Sequence, residues 1–305
     1  MKQISIIIAT YNRAEQLLVT LDSVAQQTLA PQMWECVVVD NNSKDDTQLR
    51  VKEFIASHTY INIKLVFEPK QGLSHARNCG ISSSSGEIIA IIDDDEVINR
   101  EFAASYLELF TNHSECESAG GPIIPRYTAG RPRWMSHYAE LPIANPLDLG
   151  HKVKLFPRSR IPGGGNMAIR RSTLERYGAF DTELGRKADK LIGGEESDLF
   201  ERLRRGGAQC WWCPGAIMWH IIPSEKTTDD YFDRLTYNIG VSQKLRASIQ
   251  GDRILHLELV KWGVTLAIAL FYAITLQWLK ACYIVRLRRN ITRGIVSTKS
   301  KRGNY

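Results

Sequence analysis

Ile88-Ile89-Ala90-Ile91-Ile92-Asp93-Asp94-Asp95-Glu96 is the stretch whose reading decides the fold. Five consecutive apolar residues, closed at once by carboxylates, predict a strand covered on both faces rather than a helix. The same pattern recurs upstream. Residues 4–9 form an apolar run that ends in Thr10-Tyr11-Asn12, residues 36–39 run into Asp40-Asn41-Asn42-Ser43, and residues 63–67 form a third run. Between them, residues 14–27 place Leu17, Leu18, Leu21, Val24 and Ala25 at helical spacing, and residues 47–57 and 73–81 also read as helices. Continuously apolar strands alternating with helices predict an α/β fold: a mostly parallel, Rossmann-like sheet with helices on both faces. In such sheets ligands bind beyond the carboxyl ends of the strands. The three polar clusters are therefore expected to converge on one crevice.

The chain has 305 residues and a formal net charge of +6. A basic chain raises the question of nucleic acid, but the excess is local. Arg286, Arg288, Arg289, Arg293, Lys299, Lys301 and Arg302 lie in the last 20 residues, where no acid occurs. The rest carries 32 basic against 33 acidic side chains, so no nucleic-acid partner is expected. With 44% hydrophobic and 24% charged residues the chain is neither disordered nor polytopic. No signal-peptide pattern opens it, and six cysteines fit reduced thiols. Cys210 and Cys213 flank Trp211-Trp212, but two further zinc ligands are missing.

Two clusters carry chemistry. Carboxylates two residues apart after a buried strand can chelate a hard divalent cation that bridges a diphosphate. Asp40 ends a neighbouring strand, where a carboxylate can accept from a ribose hydroxyl or a base N–H. Arg77 can pair with phosphate and lies beside Asn78 on the helix before the acidic triplet. Further on, Gly194-Glu195-Glu196-Ser197-Asp198 opens a helix, preceded by Gly163-Gly164-Gly165-Asn166. Neither a dinucleotide fingerprint nor a P-loop occurs.

Five stretches together resemble the family-2 glycosyltransferases, inverting enzymes with a GT-A-type nucleotide-sugar-binding domain. They are residues 4–13 (ISIIIATYNR), 37–47 (VVVDNNSKDDT), 72–81 (GLSHARNCGI), 88–96 (IIAIIDDDE) and 194–203 (GEESDLFERL). The resemblance implies roles. Thr10, Tyr11 and Asn12 border the nucleoside, and Asp40 meets its base or ribose. Arg77 and Asn78 lie near the diphosphate. Asp93, Asp94 and Asp95 fall on the family's D-x-D motif, Asp93 towards the ribose and Asp95 holding Mg²⁺ or Mn²⁺. Gly164, Gly165 and Asn166 line the donor sugar and acceptor side. The family's Glu-Asp pair falls on Glu195-Glu196, which leaves either carboxylate as the catalytic base. His220, after the apolar run 216–219, is a second candidate metal ligand. The implied reaction is sugar transfer from a nucleotide-diphosphate donor, a UDP-sugar foremost, to a hydroxyl of a lipid-linked or polysaccharide acceptor. The competing reading is a catalytically silent nucleotide-sugar-binding scaffold.

Residues 262–279 contain no charge and, as one helix, would extend about 27 Å. Residues 1–245 are expected to form the catalytic domain and 246–305 a membrane-associated helical segment. Nucleotide sugars place the domain at the cytoplasmic face, and the basic tail belongs on the same side. An interfacial or re-entrant segment contacting membrane lipids satisfies both.

Overall fold

The computed structural model describes residues 2–184, 194–250 and 254–297. The chain opens with the expected alternation: β1 (Ile4–Thr10), α1 (Ala14–Ala25), β2 (Trp34–Asp40), α2 (Thr47–Ser57), β3 (Ile63–Phe67), α3 (Leu73–Ser83) and β4 (Ile88–Asp93). Then follow β5 (Glu96–Ile98), α4 (Phe102–Asn112), β6 (Cys116–Gly120), β7 (Ile123–Tyr127), α5 (His137–Ala144), β8 (Lys154–Leu155), β9 (Met167–Arg170) and α6 (Arg171–Tyr177). The last elements are α7 (Glu195–Arg205), β10 (Gln209–Trp212), β11 (Met218–Ile222), α8 (Asp229–Gln250), α9 (Ile254–Ile274) and α10 (Trp278–Val296). These residues form two compact units, one of 2–126, 146–184 and 195–221, the other of 127–145, 222–250 and 254–297.

The first unit is built on an eight-stranded sheet of order β3-β2-β1-β4-β9-β6-β10-β8. It is mostly parallel; β9 and β8 run against their neighbours. Every residue of β1 and β2 is buried. Alternation along the strands divides the core. Ile4, Ile6, Ile8, Cys36, Val38, Ala90 and Ile92 meet Leu17, Leu21 and Phe102 on one face. Ile7, Ile89 and Ile91 meet Leu199, Phe200 and Leu203 of α7 on the other. Each such isoleucine contributes about 1.5–3 kcal/mol by leaving water.

Chain order places the crevice. The path runs outward from β1 to β2 and β3, then returns to β4 on the opposite side of β1. β1 and β4 thus flank a topological switch point, where the connections diverge and leave a cleft. Ala9 stands opposite Asp93, and Thr10 opposite Asp40. A smaller sheet of order β5-β11-β7 adds the strand pair that sets His220 opposite Glu96.

The second unit takes up residues 127–145 as well as the C-terminal helices. Phe232 and Leu235 of α8 share a buried cluster with Ala139 and Ile143 of α5 and Leu287, Ile291 and Ile295 of α10. Helix α8 reads as polar in sequence, yet its apolar residues need the later helices for cover. The close crossing of α8 and α10 requires glycine on both sides: a Cβ on Gly240 would stand 2.0 Å from the Ile291 carbonyl oxygen, and one on Gly294 2.2 Å from that of Tyr237.

The uncharged run 262–279 does not form one helix. It breaks after α9, with Leu276 in the left-handed region at φ 58°, and α10 returns against α9 through Ala269, Ala281 and Ile284. Among the described residues no helix is long and apolar enough to cross a membrane. The basic tail is also partly spent: Arg286 pairs with Asp229 and Asp233, and Arg288 with Glu258. Lys299, Lys301 and Arg302 lie outside the described residues. All six cysteines are free thiols.

Candidate active site

The acidic triplet leaves β4 as a turn whose members face different environments. Asp93 keeps 37% of its side chain exposed, whereas Asp94 and Asp95 keep 9% and 11%. Thr20 fixes the turn from α1: its hydroxyl donates to the Asp94 carbonyl at 3.1 Å and accepts from the Glu96 amide at 3.2 Å. Thr10 Oγ1 donates to Asp94 Oδ2 at 2.8 Å. Arg13 Nη1 donates to Asp94 Oδ1 at 3.1 Å and to Asp95 Oδ2 at 2.9 Å, holding two carboxylates with one cation. Burial pushes the Asp94 carboxyl up to about 6, against the pull of Arg13 and with the Asp95 charge adding to the rise. Glu96 is displaced upward as well, by burial first and then by Asp93 and Asp95.

Arg77 is the cationic centre of the opposite wall. Its side chain is 1% exposed, and Nη1 donates to Glu196 Oε1 at 2.9 Å while lying 3.6 Å from Glu195 Oε1. Nη2 donates to Asp93 Oδ1 at 3.0 Å and to the Gly164 carbonyl at 3.2 Å. Burial alone would lower its pKa; the charges of Glu196, Asp93 and Glu195 outweigh it and hold the guanidinium above its ordinary value. One arginine therefore joins α3, the end of β4, the glycine loop and the start of α7. The glycines are required by space. A Cβ on Gly164 would stand 2.1 Å from Glu196 Oε1, and one on Gly165 1.8 Å from Glu96 Oε1.

The two candidate base carboxylates differ in access. Glu195 is 3% exposed and Glu196 21% exposed. Both open α7, where the helix dipole favours negative charge.

Other sequence-predicted residues surround this centre in different ways. Asn12 has φ 53°; its backbone N–H donates to Ser43 Oγ and its Oδ1 accepts from the Lys44 N–H, tying the loop after β1 to the loop after β2. Tyr11, half-buried, sits in that loop. Asp40 is fully buried and accepts from the Ser43 amide at 3.0 Å and Gln48 Nε2 at 2.6 Å, so it braces the loop. Asn78 exchanges both hydrogen bonds with the Phe180 backbone. Asn166 accepts from the Tyr106 hydroxyl at 2.6 Å and donates to the Pro122 and Ala216 carbonyls. Asn78 and Asn166 thus spend their amides on the scaffold, not on the cleft.

His220 Nε2 stands 3.8 Å from Asp95 Oδ1. Among the described residues no group of three or more His, Cys, Asp or Glu side chains is placed to hold a metal alone. A carboxylate beside an imidazole suits a divalent cation that takes further oxygens from a bound diphosphate, and Arg13 marks where positive charge is stabilised.

The family model for glycosyl transferase family 2 matches residues 5–178. The chain belongs to that family. The chain is 24% identical over 204 residues to the glucosyl-dolichyl phosphate glucuronosyltransferase of Haloferax volcanii, a match covering 66% of this chain and 63% of the relative. It is 26% identical over 240 residues to the succinoglycan biosynthesis protein ExoM of Rhizobium meliloti, covering 78% and 72%. In fold it is similar to the mannosyltransferase PcManGT of Pyrobaculum calidifontis, solved with GDP-Man and Mn²⁺, at a TM-score of 0.59 and 18% identity over 95% of this chain and 87% of that one. The likeness shows that the chain has the GT-A-type α/β fold.

Sequence reading missed two residues of its site. Arg13 closes the stretch 4–13 and Glu96 the stretch 88–96, and the sequence pattern alone assigns neither a role. The signal for Glu96 was its place in a carboxylate run followed by apolar Val97-Ile98, which makes its burial at β5 legible in hindsight.

Proposed function

We propose that the chain is an inverting glycosyltransferase that uses a nucleotide-diphosphate sugar, a UDP-sugar first, and a hydroxyl of a lipid-linked or polysaccharide acceptor. The reading is carried by one observation: Glu196, Asp93 and the Gly164 carbonyl converge on Arg77 beside the β1–β4 switch point.

Glu196 is the base, because it is the more accessible carboxylate of the pair. It takes the proton of the attacking hydroxyl as the new bond forms on the face of the anomeric carbon opposite the leaving group. Glu195 stays buried as a counter-charge that sets Arg77. Tyr11 and the joined loops 10–13 and 41–44 receive the nucleoside, with Asp40 holding the second loop. Asp93 faces the ribose. Asp95 and His220 would hold Mg²⁺ or Mn²⁺, which when bound offsets charge on the departing diphosphate. Arg13 shares Asp95 and offsets the negative charge gathered at the turn.

We place the protein at the cytoplasmic face of the membrane. Supporting this, α9 exposes Leu259, Val260, Val264, Leu266, Leu270, Phe271 and Ile274, and Leu276, Trp278 and Leu279 continue the apolar surface at the turn. Flotation with anionic vesicles tests this placement; protein that stays at the bottom of the gradient contradicts it.

The donor is tested by thermal shift and hydrolysis with Mn²⁺ across UDP-, GDP- and dTDP-sugars. A UDP-sugar should stabilise the protein and be consumed. If none of the three binds, the proposed function fails.

A further inference from the structure

Helix α7 carries chemistry at both ends. Glu196, Phe200, Leu203 and Arg204 recur at spacings of four, seven and eight residues, so they share one face. From Glu196 to Arg204 the axis advances about 12 Å. At the far end lies a cavity of about 330 Å³, lined among others by Arg158, Arg160 and Arg204, with Phe156, Pro162 and Leu203 forming apolar wall. The volume is at the small end for ligand sites and matches a sugar unit rather than a nucleotide donor.

Its charge is one-sided. Among the described residues no carboxylate lines it. Arg204 Nη2 donates to the Arg160 carbonyl at 3.2 Å, which draws the two residues together. Glu201 touches Arg204 at 3.4 Å but is shared with Arg205 at 2.9 Å, and neighbouring Glu117 is taken by Arg176. Arg158 and Arg160 have no ion-pair partner among the described residues. Three arginines among the lining residues, beside an apolar wall, suit a ligand with one anionic group and a C–H face. A sugar carboxylate has both, and it matches the planar two-toothed fork of arginine. The cavity wall also runs by four residues from Arg160 to Gly164, the loop residue against Glu196.

We propose that this cavity binds a carboxylate-bearing sugar unit, a uronic acid, of the acceptor glycan, about two helical turns from the base. The acceptor role rests on the reading of Glu196 as base; the uronate site itself does not.

The test uses the full chain in detergent and three probes: methyl β-glucuronide, methyl β-glucoside and inorganic phosphate, each titrated by saturation-transfer NMR and calorimetry. The glucuronide should bind saturably and the glucoside should not. R160Q combined with R204Q should weaken the glucuronide about tenfold or more. R160K with R204K keeps the charge but removes the fork, and should fall between. Equal binding of glucuronide and glucoside, unchanged affinity in R160Q/R204Q, or binding of phosphate without glucuronide would each overturn the proposal. Binding of UDP, GDP and dTDP measured on the same preparation separates the two readings: glucuronide binding with none of the three nucleotides bound sinks the transferase reading, while nucleotide binding without glucuronide binding sinks this one.

Discussion

Arg77 donates to Glu196 at 2.9 Å from a side chain that is 1% exposed, so the candidate base is positioned by a cation that solvent does not reach. Removing that cation leaves Glu195, Glu196 and Asp93 facing one another. Arg77→Met should cost about 3–5 kcal/mol of stability, the usual result of stripping one partner from a buried ion pair. Chemical denaturation measures it. A loss below about 1 kcal/mol would show that the carboxylates do not depend on this guanidinium.

The glycine loop makes a steric prediction with an internal control. Gly165→Ala puts a methyl 1.8 Å from Glu96 Oε1 and should destabilise by about 1–3 kcal/mol. Gly263→Ala meets nothing within 4 Å on an exposed helix position and should be neutral or stabilising by up to about 1 kcal/mol. Melting temperatures of the two variants compare them directly.

The fold was legible because β1, β2 and β4 are uninterrupted apolar runs that end in polar clusters. The register that brings Thr10 beside Asp40 and Ala9 beside Asp93 follows from such strands lying parallel. What could not be read was direction reversal: β9, only Met167–Arg170, enters antiparallel between β4 and β6, and four residues give no periodic signal of orientation. The site was legible as a set of residue types, less so as contacts. Asn78 and Asn166 stand next to the residues that matter, yet their amides meet backbone groups that only tertiary packing brings near. The break at Leu276 was hidden because no glycine or proline marks it.

Glu35 gives a pH prediction away from the cleft. It is buried; burial raises its pKa, but the Ser85 backbone amide, the Ser5 and Ser85 hydroxyls and Lys64 outweigh this and bring it down to about 2. Because the folded value lies below the unfolded one, its stabilisation is present above pH 4.5 and is lost as pH falls towards 2. The loss should amount to at most about 3 kcal/mol. Glu35→Gln should flatten that part of the stability–pH curve, and an unaltered slope would contradict the assignment.

Metal affinity should depend on the Asp95–His220 pair. Manganese titration followed by electron paramagnetic resonance, with UDP present, should show binding weakened about tenfold or more in Asp95→Asn and in His220→Ala. Wild-type affinity in both variants would place the cation elsewhere.

The central claim is that Glu196, held by Arg77, is the base of a sugar transfer. The most direct measurement is single-turnover transfer from the donor that the screen identifies, comparing wild type, Glu196→Gln and Glu195→Gln with donor binding measured alongside. Glu196→Gln should keep donor affinity and lose about 10²–10⁴-fold in rate, whereas Glu195→Gln should lose stability first. Glu196→Gln turning over at the wild-type rate, or a wild-type protein that binds donor and transfers nothing, would contradict the account.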